Sequence, residues 1–285
     1  TQLKPWRHLK HTFYLFLPQI ATQIYTILDK TMIGYMVNNK AEVGYYEQAQ
    51  KVINMLLTLV TSLWPVMLPR MANTFANGDK AQMKKYLATS MKFNYTLAFP
   101  IMLGVIAVSN SFVPIFFGKG YEGVVPLVNI LAVSILFIGM NSVTGTQYLL
   151  PTKKQKAYTI SVTVGAIVNF VLNLIFIGRY HAMAGAVTTV IAEFTVLSIQ
   201  IWSIRKEWRL TEILKPGIKN LIAGVAMFVV ALGVGTVISN PVLSLATQMV
   251  TGAITYGIVL ILLKDSFVTM ILDKFKQKKE MPKEV

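Results

Sequence analysis

Cysteine is absent from the sequence, which excludes a disulfide framework and any metal site built on thiolates. Acidic residues are almost as scarce, 12 against 27 Lys and Arg. No Gly-rich phosphate loop, metal-ligand spacing or nucleophile–base arrangement occurs. The three His residues (His8, His11 and His181) fall at or near the ends of apolar stretches. With so few groups able to move protons or hold a metal, neither catalysis nor a cofactor is expected.

What the chain has instead is length without charge. Charged residues make up 14% and hydrophobic residues 54% of 285 positions, a balance outside that of ordinary soluble domains. Val52 to Pro69, Phe93 to Gly118, Gly123 to Thr152, Ala157 to Gly178 and Asn220 to Leu263 contain no Asp, Glu, Lys or Arg. A helix crosses a bilayer with about 20 apolar residues, and the last of these stretches is long enough for two helices around Asn240-Pro241. The pattern predicts an all-α integral membrane protein with about eight spans, near 12–37, 41–74, 80–108, 121–149, 155–178, 182–205, 217–239 and 242–263.

The net charge of +15 would suit a nucleic-acid partner, and its placement argues against one. Of the 27 Lys and Arg, Lys30, Lys51 and Lys92 fall inside spans. Only Lys40, Lys119 and Arg179 fall on one side, which leaves 21 on the other. That asymmetry is a topology signal, helped by anionic lipid heads. It puts both ends and the basic loops in the cytosol of a bacterial cytoplasmic membrane. No nucleic acid is expected. The chain begins Thr1-Gln2-Leu3 without an initiator Met and reads as the later part of a longer polypeptide.

Two units are expected. Residues 1–205 form six helices with short connections and nearly all the intramembrane polar groups. Residues 206–285 supply a charged cytosolic linker, two Gly-rich accessory helices and a charged tail. The second helix, about 50 Å long at 1.5 Å per residue, should bend at Pro65 and Pro69 or project into the cytosol. Pro18, Pro100 and Pro126 favour kinks in other spans, and aromatic residues such as Tyr14, Trp64 and Trp202 read as interface anchors.

An ionisable side chain inside a bilayer needs a partner or a purpose. The first hairpin turns near Asn38-Asn39-Lys40. Counting equally from there sets Asp29 level with Lys51 and Lys30 level with Gln50, both roughly 16 Å deep. Glu47 and Lys51 are four apart, in the favourable order for an ion pair. Asp29, Lys30, Glu47 and Lys51 are therefore expected to form one neutral four-charge cluster, flanked by Tyr25, Tyr46 and Gln48. Two readings stand: a latch joining two helices, or the lining of a wet cavity for a hydrophilic or anionic substrate. Arg70, near the cytosolic boundary, either snorkels or grips a phosphate. Glu193, near the middle of the sixth span, is either a hydrogen-bonded packing residue or a carboxylate that couples to a proton or cation. Asn141, Thr144 and Tyr148 share one face of the fourth span, and Asn169 and Asn173 one face of the fifth. Such stripes usually join helices.

Leu28-Asp29-Lys30-Thr31-Met32-Ile33-Gly34-Tyr35 resembles the end of the seventh helix of polysaccharide repeat-unit flippases. Val43-Gly44-Tyr45-Tyr46-Glu47-Gln48-Ala49-Gln50-Lys51 resembles the start of their eighth and Val66-Met67-Leu68-Pro69-Arg70-Met71 its cytosolic end. Phe116-Phe117-Gly118-Lys119-Gly120-Tyr121 is similar to the outer loop that follows. The resemblance implies the carboxy-terminal lobe of a MATE-like flippase fold, a six-helix lobe plus two accessory helices, whose amino-terminal lobe is not in this sequence. It implies an undecaprenyl-pyrophosphate-linked oligosaccharide as cargo, the lipid bilayer as surroundings, and polysaccharide polymerase and glycosyltransferases as partners. By the same likeness Lys30, Lys51 and Arg70 contact the anionic head, while Asp29 and Glu47 position them and the sugars. The alternatives are a cation or multidrug antiporter coupled through Asp29 and Glu193, and a non-transporting structural subunit.

Overall fold

The computed structural model describes residues 27–265 and 267–269, and all regular structure among them is helical. The part of the first expected span (12–37) before residue 27, with Pro18, Tyr14 and Tyr25, lies outside the described residues, as do His8, His11, the amino-terminal basic residues and the tail from 273 onward. Helix α1 is described over 27–36. Helix α2 (Ala41–Val60) and α3 (Trp64–Ala76) form one span bent by 45°. The sequence explains the break. Pro65 has no N–H to give the Thr61 carbonyl, and tighter three-residue bonds, Trp64 N to Thr61 O at 3.0 Å among them, carry the chain across 61–63. Pro69 stays inside α3, so the bend falls at the first proline only.

Helix α4 (Lys80–Phe117) begins where the Asp79 carboxylate accepts the Gln82 N–H and ends at Gly118, φ 85°. It runs past the expected end at 108, because Ser109 satisfies its hydroxyl on the Ile106 carbonyl and Phe112, Phe116 and Phe117 pack on one another beyond it. Helix α5 (Val124–Asn141) widens into a π-helical stretch, Ser142–Leu149. Helix α6 (Gln155–Ile204) is unbroken in its bond pattern but folds back at His181, whose φ is 55° and ψ −138°. Contacts across it place Ser161 beside Gln200 and Asn173 beside Thr188. That constant sum belongs to two antiparallel arms and matches the expected pair 155–178 and 182–205. After α7 (Leu210–Leu214), helices α8 (Gly217–Val237) and α9 (Pro241–Leu262) pack on each other and on α4.

Counting α2–α3 as one span and α6 as two gives seven membrane-length helices among the described residues, in the places expected; of the first expected span only α1 is described. The outer faces support a multi-pass membrane protein. Met183, Val187, Ile191, Phe194 and Trp202 on α6, and Met249, Val250, Ile254 and Ile258 on α9, are all exposed. Apolar surface on that scale belongs in hydrocarbon.

Inside, α4 and α5 approach closely at Gly139. A Cβ there would lie 1.9 Å from Asn94 Oδ1 and 2.8 Å from Val60 Cγ1. Gly139→Ala is expected to lower stability by about 1–3 kcal/mol, the usual range for overpacking. Thermal melting in detergent checks this, and an unchanged midpoint would show that the two helices can separate freely.

Candidate functional site

The four charges expected to cluster divide into two sets. Successive residues on a helix point about 100° apart, and Asp29 and Lys30 therefore leave α1 on different faces. Asp29 turns inward with Ile33, and both are fully buried. Its Oδ2 accepts from the Tyr46 hydroxyl at 2.8 Å and from Thr189 at 2.9 Å, and its Oδ1 from Asn173 Nδ2 at 2.5 Å. Asn173 also reaches Asn169 Oδ1 at 3.2 Å and accepts from Thr188. One carboxylate thus ties α1, α2 and both arms of α6 together. It forms no ion pair among the described residues.

Lys30, Glu47 and Lys51 form the second set, with the Glu47 carboxylate 3.9 Å from Lys30 and 3.3 Å from Lys51. Lys51 keeps 62% of its side chain exposed. The neutral four-charge cluster is therefore corrected to an open triad carrying one net positive charge. Gln48 is half-buried on α2.

Below the triad, Asn54, Thr58 and Ser62 are exposed at the three- and four-residue steps that keep them on the Lys51 face. Thr58 and Ser62 close their hydroxyls on Met55 and Leu59 carbonyls, and the Asn54 side chain stays open. The sequence carried this signal in its spacing, yet these three residues were not among those expected at the site. The adjoining flank of α2 is apolar. Val52, Met55 and Leu56 form one wall of a groove of about 690 Å³, completed by α4 (Leu97, Pro100, Ile101) and by α8 and α9. A single helix presents charge on one flank and hydrocarbon shelter on the next.

Arg70 is not brought to the triad. It sits exposed on α3, 19 residues beyond Lys51, or roughly 28 Å of helix. Glu193 is buried deeper in the lobe, where its Oε2 accepts from Asn141 at 2.8 Å. One turn further, Thr144 of the π-helical stretch donates to Gln200 at 2.5 Å, and Gln200 donates to Ser161 at 3.2 Å. These layers join α5 to α6 through side chains. Among the described residues, no group of three or more His, Cys, Asp and Glu is placed to hold a metal. The Asp29 network could offer only one carboxylate with amide and hydroxyl oxygens, a hard donor set.

A folded bundle whose outer faces are apolar, with one amphipathic seam of charge and groove, defines a multi-pass membrane lobe. The protein-family description "Polysaccharide biosynthesis protein" matches residues 5–126. "Uncharacterized membrane protein MJ1068" of Methanocaldococcus jannaschii is 22% identical over 245 residues, 86% of this chain and 48% of that protein. "Probable low-salt glycan biosynthesis flippase Agl15" of Haloferax volcanii is 22% identical over 63% of this chain and 38% of its own length. The chain spans half or less of these curated relatives. Among solved structures, "Lipid II flippase MurJ, inward closed conformation" superposes with a TM-score of 0.76 at 20% identity, over 91% of this chain and 56% of that one. The outward-facing multidrug resistance MATE family transporter of the MOP superfamily gives 0.59 at 16%, over 87% and 63%. The chain has the fold of the MurJ and MATE structures, and its likeness to the polysaccharide biosynthesis family covers residues 5–126.

Proposed function

We propose that this chain is the carboxy-terminal lobe of a flippase that moves a lipid-linked oligosaccharide from the inner to the outer leaflet. The carrier is a polyprenyl pyrophosphate, undecaprenyl in a bacterial cytoplasmic membrane. Residues 1–205 form the transport lobe, and residues 206–285 the linker, accessory hairpin and tail. Both ends face the cytosol, and a second lobe completes the chamber.

The observation that carries this reading is the two-sided α2. Lys30, Lys51, Asn54 and Thr58 face outward from the lobe at membrane depth, where lipid contact would be costly. The groove beside them suits a hydrocarbon tail. A substrate with an anionic, sugar-bearing head and a long apolar tail fits both. Glu47 holds the two lysines toward the chamber, and Arg70 meets the phosphate nearer the cytosolic end. A cation antiporter is disfavoured by the same lysines, while the buried Asp29 and Glu193 networks are the features that would serve one. A purely structural subunit would leave the open stripe without a purpose.

The absence of native cysteine in this chain makes a direct test convenient. Single cysteines at Asn54 and Thr58, in the full-length protein in sealed vesicles, are expected to react with a membrane-impermeant maleimide. Cysteines at the lipid-facing Ile191 and Ile254 should not react. Failure of both stripe positions to label, from either side and with or without substrate, would remove the chamber and the proposal with it.

A further inference from the structure

A second concavity, about 480 Å³, lies at the basic end of the lobe, away from α2. Lysines from three separate connections converge on it: Lys80 and Lys84 from the start of α4, Lys154 from the α5–α6 turn, and Lys206 from the loop after α6. Its floor is apolar, formed by Phe75, Met83, Leu87 and the almost fully buried Trp208. A topology signal alone requires basic residues only somewhere on the cytosolic side. It does not require them around one hollow with a hydrophobic floor.

The charges facing the hollow can be accounted for. Lys84 pairs with Glu212 at 2.8 Å. Lys154 is held by Glu207, which also accepts from the Tyr148 hydroxyl at 3.1 Å, and the Lys154 ammonium lies 5.6 Å from the centre of the Tyr148 ring. Asp79 is turned away onto the Gln82 N–H at 2.9 Å. Lys80 and Lys206 form no ion pair among the described residues. Four lysines against Glu207 and Glu212 leave two positive charges, the complement of a phosphate group.

We propose that this hollow is a binding site for the phosphate of a lipid headgroup, separate from the α2 seam. Lys80 and Lys206 hold the phosphate as point charges, and the glycerol or prenyl carbons adjoining it rest on Met83, Leu87 and Trp208. Basic pockets between membrane helices on the cytosolic side are suited to this task. Glu207 acts as a built-in competitor that keeps Lys154 occupied until a stronger anion arrives. The proposal does not depend on the transport reading, because the same chemistry comes either from a bilayer phospholipid or from a prenyl pyrophosphate.

The experiment is a titration of the protein in phosphatidylcholine nanodiscs with two probes, short-chain phosphatidylglycerol and geranyl pyrophosphate, read by Trp fluorescence. Saturable binding of at least one is expected, and the probe that binds identifies the source. Lys80→Ala with Lys206→Ala should weaken it at least about tenfold, the loss of charge-assisted contacts. Glu207→Gln, which keeps an acceptor for Tyr148, should strengthen it severalfold. No saturation with either probe would overturn the site. So would a double variant that binds both probes like the parent.

Discussion

Lys51→Ala in the full-length protein is expected to cut surface-polysaccharide export by about tenfold to a hundredfold, with membrane insertion and melting temperature nearly unchanged. The two halves of that statement come from different terms. In the resting lobe Lys51 is mostly exposed and, among the described residues, paired only with Glu47, and exposed ion pairs contribute about 0–1 kcal/mol. Against the anionic head proposed for the chamber, the same ammonium would make a charge-assisted hydrogen bond worth about 1.5–3 kcal/mol. Lys51→Glu should be worse than Lys51→Ala, since it adds repulsion beside Glu47, and Lys51→Arg should restore most export. Surface-polysaccharide assay alongside membrane fractionation measures this. Export at the parental level from the alanine and glutamate variants would reduce the triad to a helix latch.

Asp29→Ala is expected to fail by the opposite route. Tyr46, Thr189 and Asn173 all donate to this carboxylate, and each buried donor left without an acceptor costs about 1–3 kcal/mol. Allowing for partial repairing among the survivors, the loss is about 3–5 kcal/mol. The variant should therefore melt far earlier in detergent and be depleted from the membrane, and export should fall with its abundance. Asp29→Asn, which preserves an acceptor oxygen, should lie between. A stable, abundant but inactive Asp29→Ala would instead put the carboxylate in the transport step itself.

The contrast between these residues marks what the sequence disclosed. Depth was legible: counting from Asn38-Asn39-Lys40 set Asp29 and Lys51 at one level, and the charge-free runs located the spans. Azimuth was equally present in the residue order, because neighbours on a helix diverge by about 100°. Equal depth alone does not join Asp29 to Lys51. Asp29's partners Asn173 and Thr189 are 144 and 160 residues away. Nothing local ties them to α1, and only the folded arms of α6 deliver them. The fold-back at His181 follows from a short polar interval between two apolar runs, whereas the extension of α4 through Ser109 and Pro114 was hidden by residues that usually end helices. The basic hollow was visible only as scattered lysines until three connections were folded onto one another.

The accessory hairpin supplies eight of the residues lining the α2 groove, from Met227 to Tyr256, yet contributes none of the charged triad. On the reading proposed above, head recognition and tail sheltering are therefore physically severable. A chain stopped after the sixth span would keep its lysines and lose one bank of its hydrocarbon channel, becoming selective for the phosphate end of a cargo whose other end it could no longer house.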